Sequence, residues 1–281
     1  MSSNTLAIVY RIYPGISKNP AIFPNNKFKL SEIALKSLIC ALSGVNYRFF
    51  ALMDSCPPEY EELFKRLVPK ERLEIHACQD RSNLATFMKQ MNLLLRQDFS
   101  DNIFFAEDDY LYLPNSFINL VAFLQSSEDV HFVTPYDHLD YYTLDFHKKP
   151  QEERVFQGKK FKTVGTTCFT FLTKKSVIQA TEKTFRSFLR GNKDAAVWMT
   201  LTRHRLFDLF YMIKSFKSYY YISLCFYKSW RLQFWQNLFG KKWKLWCPEP
   251  SVGTHLEKDY MAPQINWTQT IETYSRESQE T

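Results

Sequence analysis

The chain has 281 residues, 45% hydrophobic and 23% charged, enough to bury one large core or two small ones. Seven glycines, with no Gly-x-Gly-x-x-Gly or Gly-x-x-x-x-Gly-Lys stretch, exclude a glycine-rich loop as a phosphate cradle. A net charge of +7 suits an anionic partner, while six cysteines without a Cys-x-x-Cys pair or zinc spacing read as reduced, mostly buried thiols of a cytoplasmic protein.

In chain order, "LAIVY" (6–10) is an apolar run that closes on a Pro/Gly loop, which predicts a buried strand. Arg11 ends this run early and no basic region precedes it, so it does not read as a secretory signal. "KLSEIALKSLICAL" (29–42) has helical periodicity with Ser31 placed as its cap. "YRFFALMD" (47–54) predicts a second strand, and "PEYEELFKRLV" (58–68) a helix opened by proline and acids. "RLEIHAC" (72–78) predicts a third strand and "NLATFMKQMNLLLRQ" (83–97) a third helix. Then comes "NIFFAEDDY" (102–110), an apolar strand ending in three carboxylates. Strands alternating with helices predict β-α-β units and a mainly parallel sheet with helices on both faces. Ligands collect outside the carboxyl ends of such strands, which places Asp54 and the pair Asp108–Asp109 on one edge.

The second half is less regular. "DVHFVTPYD" (129–137) and "FKTVGTTCFTFLT" (161–173) predict strands, and "KKSVIQATEKTFRSFLR" (174–190) a helix. A long aromatic and basic segment follows (about 203–246), then "PEPSVGTHLEKDYMAPQINW" (248–267) and a polar tail. No stretch reaches the roughly 18 uninterrupted apolar residues of a spanning helix. There is no internal repeat or low-complexity linker, so a single domain is expected over 1–281.

Three adjacent carboxylates repel one another, and burying any of them unpaired is costly. A hard divalent ion gives them a purpose, because Mg²⁺ and Mn²⁺ take oxygen ligands from one or two carboxylates and from substrate phosphates. The plain alternative is an acidic surface turn. The order of strand, Asp54–Ser55, strand, helix with Asn83, strand and Glu-Asp-Asp resembles the nucleotide-sugar half of GT-A glycosyltransferases, family-2-like ones in particular. "TVGTTCFTFLTKKSV" resembles their small-residue strand between donor and acceptor sugars. "GNKDAAVWMTL" (191–201) resembles their acidic helix start, although Lys193 stands where the family has its first acid. "PSVGTHLEKD" resembles their carboxyl-terminal Pro-Ser-x-x-x-His loop.

The resemblance implies a GT-A, Rossmann-like fold, with 1–110 as the nucleotide-sugar half and 111–281 as the acceptor half. It implies a sugar transferred from a nucleoside diphosphate donor to a hydroxyl of a saccharide or lipid-linked acceptor, with inversion, and Mn²⁺ or Mg²⁺ as cofactor. Asp109 and His255 would hold the metal with Glu107 beside them, and Asp54 and Asp108 would contact the donor. Arg11, Asn83 and Lys89 are the other donor-site candidates, and Arg81 a further phosphate contact. Asp194 would be the general base. Each has a plainer alternative: a turn at Asp54, helix caps at Asp194 and Asn83, a surface His255, and a solvated helix face at Lys89.

Segment 203–246 is expected to touch a membrane surface or lipid-linked acceptor, which would place the protein on the inner face of the cell membrane. Its alternative is a helical pair packed as core. Nucleic acid is not expected as a partner. Two other functions fit less of the pattern: a sugar-phosphate nucleotidyltransferase, which would carry a glycine-rich loop after the first strand, and a non-enzymatic membrane-binding module, which leaves the carboxylate edge unexplained.

Overall fold

The computed structural model describes residues 4–17, 19–149 and 151–277. Its first elements are β1 (Thr5–Ile12), α1 (Lys27–Ala41), β2 (Asn46–Asp54), α2 (Pro58–Leu67), β3 (Leu73–Cys78), α3 (Asn83–Arg96) and β4 (Asn102–Glu107). Next come β5 (Tyr110–Tyr112), α4 (Phe117–Gln125), β6 (Phe132–Val133), α5 (Asp140–Thr143), β7 (Glu153–Phe156), β8 (Lys159–Val164) and β9 (Phe171–Lys174). The chain ends in α6 (Lys175–Arg186), α7 (Asp194–Thr202), α8 (Leu209–Ser218), α9 (Tyr220–Phe239), β10 (Leu245–Glu249), β11 (Gly253–His255) and α10 (Trp267–Glu277).

Nine strands form one sheet in the order β3-β2-β1-β4-β9-β6-β10-β8-β7, and β11 pairs with β5 in a second, two-stranded sheet. In the large sheet β8 and β9 run against the other strands, so the sheet is mainly parallel. Central strands of this kind are apolar on both faces. Leu6, Ile8 and Tyr10 of β1 and Phe104 and Ala106 of β4 enter the core under α1 and α4. The alternate residues Ala7, Val9, Ile103 and Phe105 enter a second core with Phe87 and Met91 of α3. The continuous runs "LAIVY" and "IFFA" follow from this double burial. The expected α/β architecture, a mainly parallel sheet flanked by helices, is what the chain forms.

Several local expectations change. The first helix starts at Lys27, where the Asn26 side chain accepts from the Lys29 amide at 2.9 Å. Ser31, expected as the cap, is inside that helix and buried. Within 129–137 only Phe132–Val133 forms a strand, with Tyr136 in an isolated bridge to Gly253 beyond Pro135. The single strand expected over 161–173 is two, β8 and β9, separated by the loop Gly165–Thr170. None of the six cysteines forms a disulfide, but only Cys225 and Cys247 are buried.

Segment 203–246 forms the helix pair α8–α9. Ile222, Cys225 and Phe226 pack on Ala196 and Met199 of α7, while many of the other large side chains are exposed. The side chain of Lys217, in this segment, lies outside the described residues. Among the described residues no helix is long and apolar enough to cross a membrane.

Candidate active site

The carboxyl ends of β1, β2 and β4 open onto a cleft of about 460 Å³ whose walls include Arg11, Lys27, Asp54, Asn83, Asp108 and Asp109. Each acid of the triplet meets a basic partner from another element. Glu107 stands opposite Arg11 in the β1–β4 ladder, where the two form a close ion pair. The Thr170 hydroxyl donates to the other Glu107 oxygen at 2.9 Å. Arg11 Nη1 also donates to the Asn83 carbonyl at 3.0 Å and to Asn83 Oδ1 and Thr86 Oγ1 at 3.2 Å, which ties β1 to the start of α3. Asp108 pairs with Lys27 at 2.9 Å and accepts from the Tyr13 amide at 3.3 Å. Burial pushes the Asp108 carboxyl up, with the Lys27 charge opposing.

Asp109 is the acid with capacity left. Its Oδ2 lies 3.0 Å from His255 Nε2, while its Oδ1 is buried without a hydrogen-bond partner. Burial alone would raise its pKa, but His255, with help from Lys27 and Arg11, brings it down to about 2. The carboxylate is therefore ionised at neutral pH. Burial lowers the pKa of His255, but Asp109, Glu107 and Glu257 overcome it and hold the imidazole above its usual value. The small sheet makes this meeting possible: His255 of β11 stands opposite Tyr110 of β5, next to Asp109, and the Leu256 amide donates to the Asp109 carbonyl at 2.7 Å. The two strands approach closely, and a Cβ on Gly253 would lie 3.0 Å from the Tyr112 ring.

Asp54 ends β2, buried at 3% exposure. Its Oδ1 accepts from the Ser55 hydroxyl and the Arg81 amide, both at 3.1 Å. Ser55 (φ 56) and Arg81 (φ 49) are both in the left-handed region that non-glycine residues avoid. One carboxylate thus fixes two strained residues at the rim of the cleft. The Ser82 side chain accepts from the Ala85 amide and caps α3, so Asn83 is the first residue of the helix, bonded to Arg11. Lys89 pairs with Asp80 at 2.6 Å on the exposed side of α3 and does not line the cleft.

Asp194 does not line this cleft. It opens α7 on a smaller pocket of about 170 Å³, whose lining includes His138, Asp140, Thr166, Cys168, Asp194 and Tyr221. Asp194 Oδ1 accepts from the Tyr221 hydroxyl at 3.0 Å and from the Ala195 amide at 2.8 Å. It does not cap α7: the residue before the helix is Lys193, whose side chain forms no capping bond. The Cys168 thiol lines the smaller pocket. Burial pushes it up first, and the charges of Asp194, Glu107 and Asp109 push it further. His138 stands between His255 and the smaller pocket, and burial together with His255 lowers it to about 4, so its ring is neutral at pH 7.

The chain thus brings together Arg11, Asp54, Asn83, Glu107, Asp108 and Asp109 of the predicted set, with His255 in contact through Asp109. It leaves Lys89 outside and seats Asp194 next door. Sequence reading missed Lys27, Thr170, His138 and Tyr221. Only Lys27 had a local signal: it follows Asn26 in "NNKFK", where an asparagine cap puts the lysine in the first turn.

No family model matches the chain, and no curated protein matches it. Solved structures do. S. aureus TarS residues 1–349 in complex with UDP is 11% identical with TM-score 0.44, over 70% of this chain and 54% of that one. The mannosyltransferase PcManGT from Pyrobaculum calidifontis, in complex with GDP-Man and Mn²⁺, is 13% identical with TM-score 0.42, over 71% and 52%. The chain therefore spans about half the length of these two. The 4-diphosphocytidyl-2C-methyl-D-erythritol synthase of Anaerococcus prevotii is 9% identical with TM-score 0.40, over 69% and 80%. Likenesses this distant do not choose between sugar transfer and nucleotidyl transfer, so function has to be read from the site's own residues.

Proposed function

We propose that this chain is a metal-dependent glycosyltransferase that moves a sugar from a nucleoside diphosphate to an acceptor hydroxyl with inversion. The observation that carries the reading is the Asp109–His255 pair at the carboxyl edge of a parallel sheet, with an ionised, buried and unanswered oxygen beside a cleft that also holds Lys27 and Arg11. The Asp109 carboxylate and diphosphate oxygens suit Mn²⁺ or Mg²⁺, and the imidazole nitrogen of His255 favours the transition metal of the two, Mn²⁺. Among the described residues no group of three or more His, Cys, Asp or Glu side chains is arranged to hold a metal; Asp109 and His255 would hold the ion together with the donor's diphosphate oxygens. When bound, the ion supplies Lewis-acid stabilisation of the leaving diphosphate. Glu107 fits a ligand role less well, because both its oxygens are engaged; its part is to hold Arg11.

The chain's own residues divide the remaining work. Lys27 and Arg11 place positive charge toward the diphosphate. Asp54 fixes the rim at Ser55 and Arg81, against which the nucleoside lies. The acceptor occupies the smaller pocket, where Asp194 takes the proton from the attacking hydroxyl at Oδ2, its Oδ1 being held by Tyr221. A donor in the larger cleft and a base in the smaller pocket suit a single in-line displacement. In this reading 1–281 is one catalytic unit, 1–110 serving the donor and 111–281 the acceptor.

A panel of nucleoside diphosphate sugars, assayed with Mn²⁺ for diphosphate release, tests this. The expected result is release from one donor, abolished by chelation and slowed in Asp194→Asn. Pyrophosphate release from a nucleoside triphosphate and a sugar phosphate would replace this reading with nucleotidyl transfer.

A further inference from the structure

The pair α8–α9 exposes more large apolar side chains than any other part of the described chain. On α8 these are Leu209, Phe210, Ile213 and Phe216, a stripe at helical spacing, with Phe210 81% exposed. On α9 Tyr220 and Tyr227 stand seven residues apart before a kink at Gln233, and Phe234, Trp235 and Phe239 are exposed after it. Trp230, Phe234, Trp235 and Phe239 form a chain of ring contacts 5.3–6.1 Å apart. Soluble proteins rarely leave a patch of this kind uncovered.

Charge says what covers it. From Leu206 to Trp246 the sequence holds one acid, Asp208, against seven lysines and arginines. Asp208 is already answered: it caps α8 through the Tyr211 amide and pairs with Arg205 at 2.8 Å. Arg231, Lys214, Lys241 and Lys242 are exposed around the aromatic rings. Of these cations Lys214 meets an acid, Asp145 at 3.7 Å; a second copy of the chain docked about a two-fold axis would set the others against themselves. Aromatic rings interleaved with cations suit the headgroup layer of an anionic bilayer.

We propose that α8–α9 lies on an anionic membrane surface and that the acceptor is lipid-linked, reaching Asp194 past Tyr221. Tyr221 joins the two halves of the claim. It is half-exposed on α9, its hydroxyl donates to Asp194, and it lines the smaller pocket. The membrane contact stands without the catalytic reading, whereas the acceptor class rests on it.

Flotation of the full chain with phosphatidylcholine vesicles, with and without phosphatidylglycerol, tests the first part without any turnover. The chain is expected to float with the anionic vesicles only, to lose this at high salt, and to lose it in Phe210→Asp/Trp235→Asp. Arg231→Gln and Lys241→Gln, both on exposed side chains, are expected to weaken partition about fivefold each. Failure to float with either vesicle, equal flotation with both, or a concentration-dependent dimer built through this face overturns the membrane claim. For the acceptor, the wild-type chain is expected to transfer faster to a polyprenyl-phosphate-linked saccharide in anionic vesicles than to the same saccharide free in solution. Equal rates overturn the lipid-linked acceptor while leaving sugar transfer itself intact.

Discussion

At the scale of single residues, the triplet resolves into three different jobs. Glu107 anchors Arg11, Asp108 balances the buried Lys27, and Asp109 alone keeps an unanswered oxygen. Asp109→Asn is therefore expected to abolish metal-dependent donor binding, while Glu107→Gln lowers affinity less by loosening Arg11; calorimetric titration with a nucleoside diphosphate and Mn²⁺ separates the two. Asp194→Asn is expected to keep donor affinity and lose roughly 10²–10⁴ in turnover, the usual worth of a placed base, and near-normal turnover would assign proton removal elsewhere. The acids and His255 were legible because each sits in a short motif at the end of a predicted element. Their partners were not. Lys27 and Thr170 reach Asp108 and Glu107 across 81 and 63 positions of chain, and His138 and Tyr221 meet the site only through packing, so no local pattern marks them.

At the scale of elements, β1 to β4 were legible because central parallel strands are buried on both faces and read as unbroken apolar runs. The "FKTVGTTCFTFLT" run misled for the same reason. Its two halves are apolar, yet Gly165–Thr170 leaves the sheet to line the smaller pocket and to place Thr170 against Glu107. One device lies wholly outside sequence reading: Lys162 of β8 is 3% exposed and pairs with Asp137 at 3.1 Å and with Glu249 of β10 at 2.8 Å. Asp137 is fully buried, so Lys162→Met strands its charge and is expected to cost about 3–5 kcal/mol of stability, read by urea unfolding. Burial alone would raise the Glu249 carboxyl, but Lys162, Lys160 and Tyr142 hold it down at about 2. A folded pKa below the ordinary 4.5 means that its contribution is present above pH 4.5 and lost as pH falls toward 2. Glu249→Gln is expected to flatten that limb of the stability–pH curve, and an unchanged limb would assign acid lability elsewhere.

At the scale of the whole molecule, the larger cleft and the smaller pocket give the proposed donor and acceptor separate places. The overall α/β plan was legible from alternation alone. The arrangement of the second half was not, because its strands are short and paired out of chain order, with β9 inserted between β4 and β6. In the helix pair α8–α9 one face packs on α7, as the packed alternative for this segment expects, and the other presents its aromatic rings outward. The claim on which the rest depends is that the larger cleft binds a nucleoside diphosphate through a metal held by Asp109 and His255. Its most direct test is calorimetric titration of the chain with nucleoside diphosphates in Mn²⁺ and in chelator, repeated on His255→Ala. Binding in Mn²⁺ that disappears with chelator and weakens at least tenfold in His255→Ala is the predicted result. Affinity that is the same with and without Mn²⁺, and unchanged in His255→Ala, would contradict it.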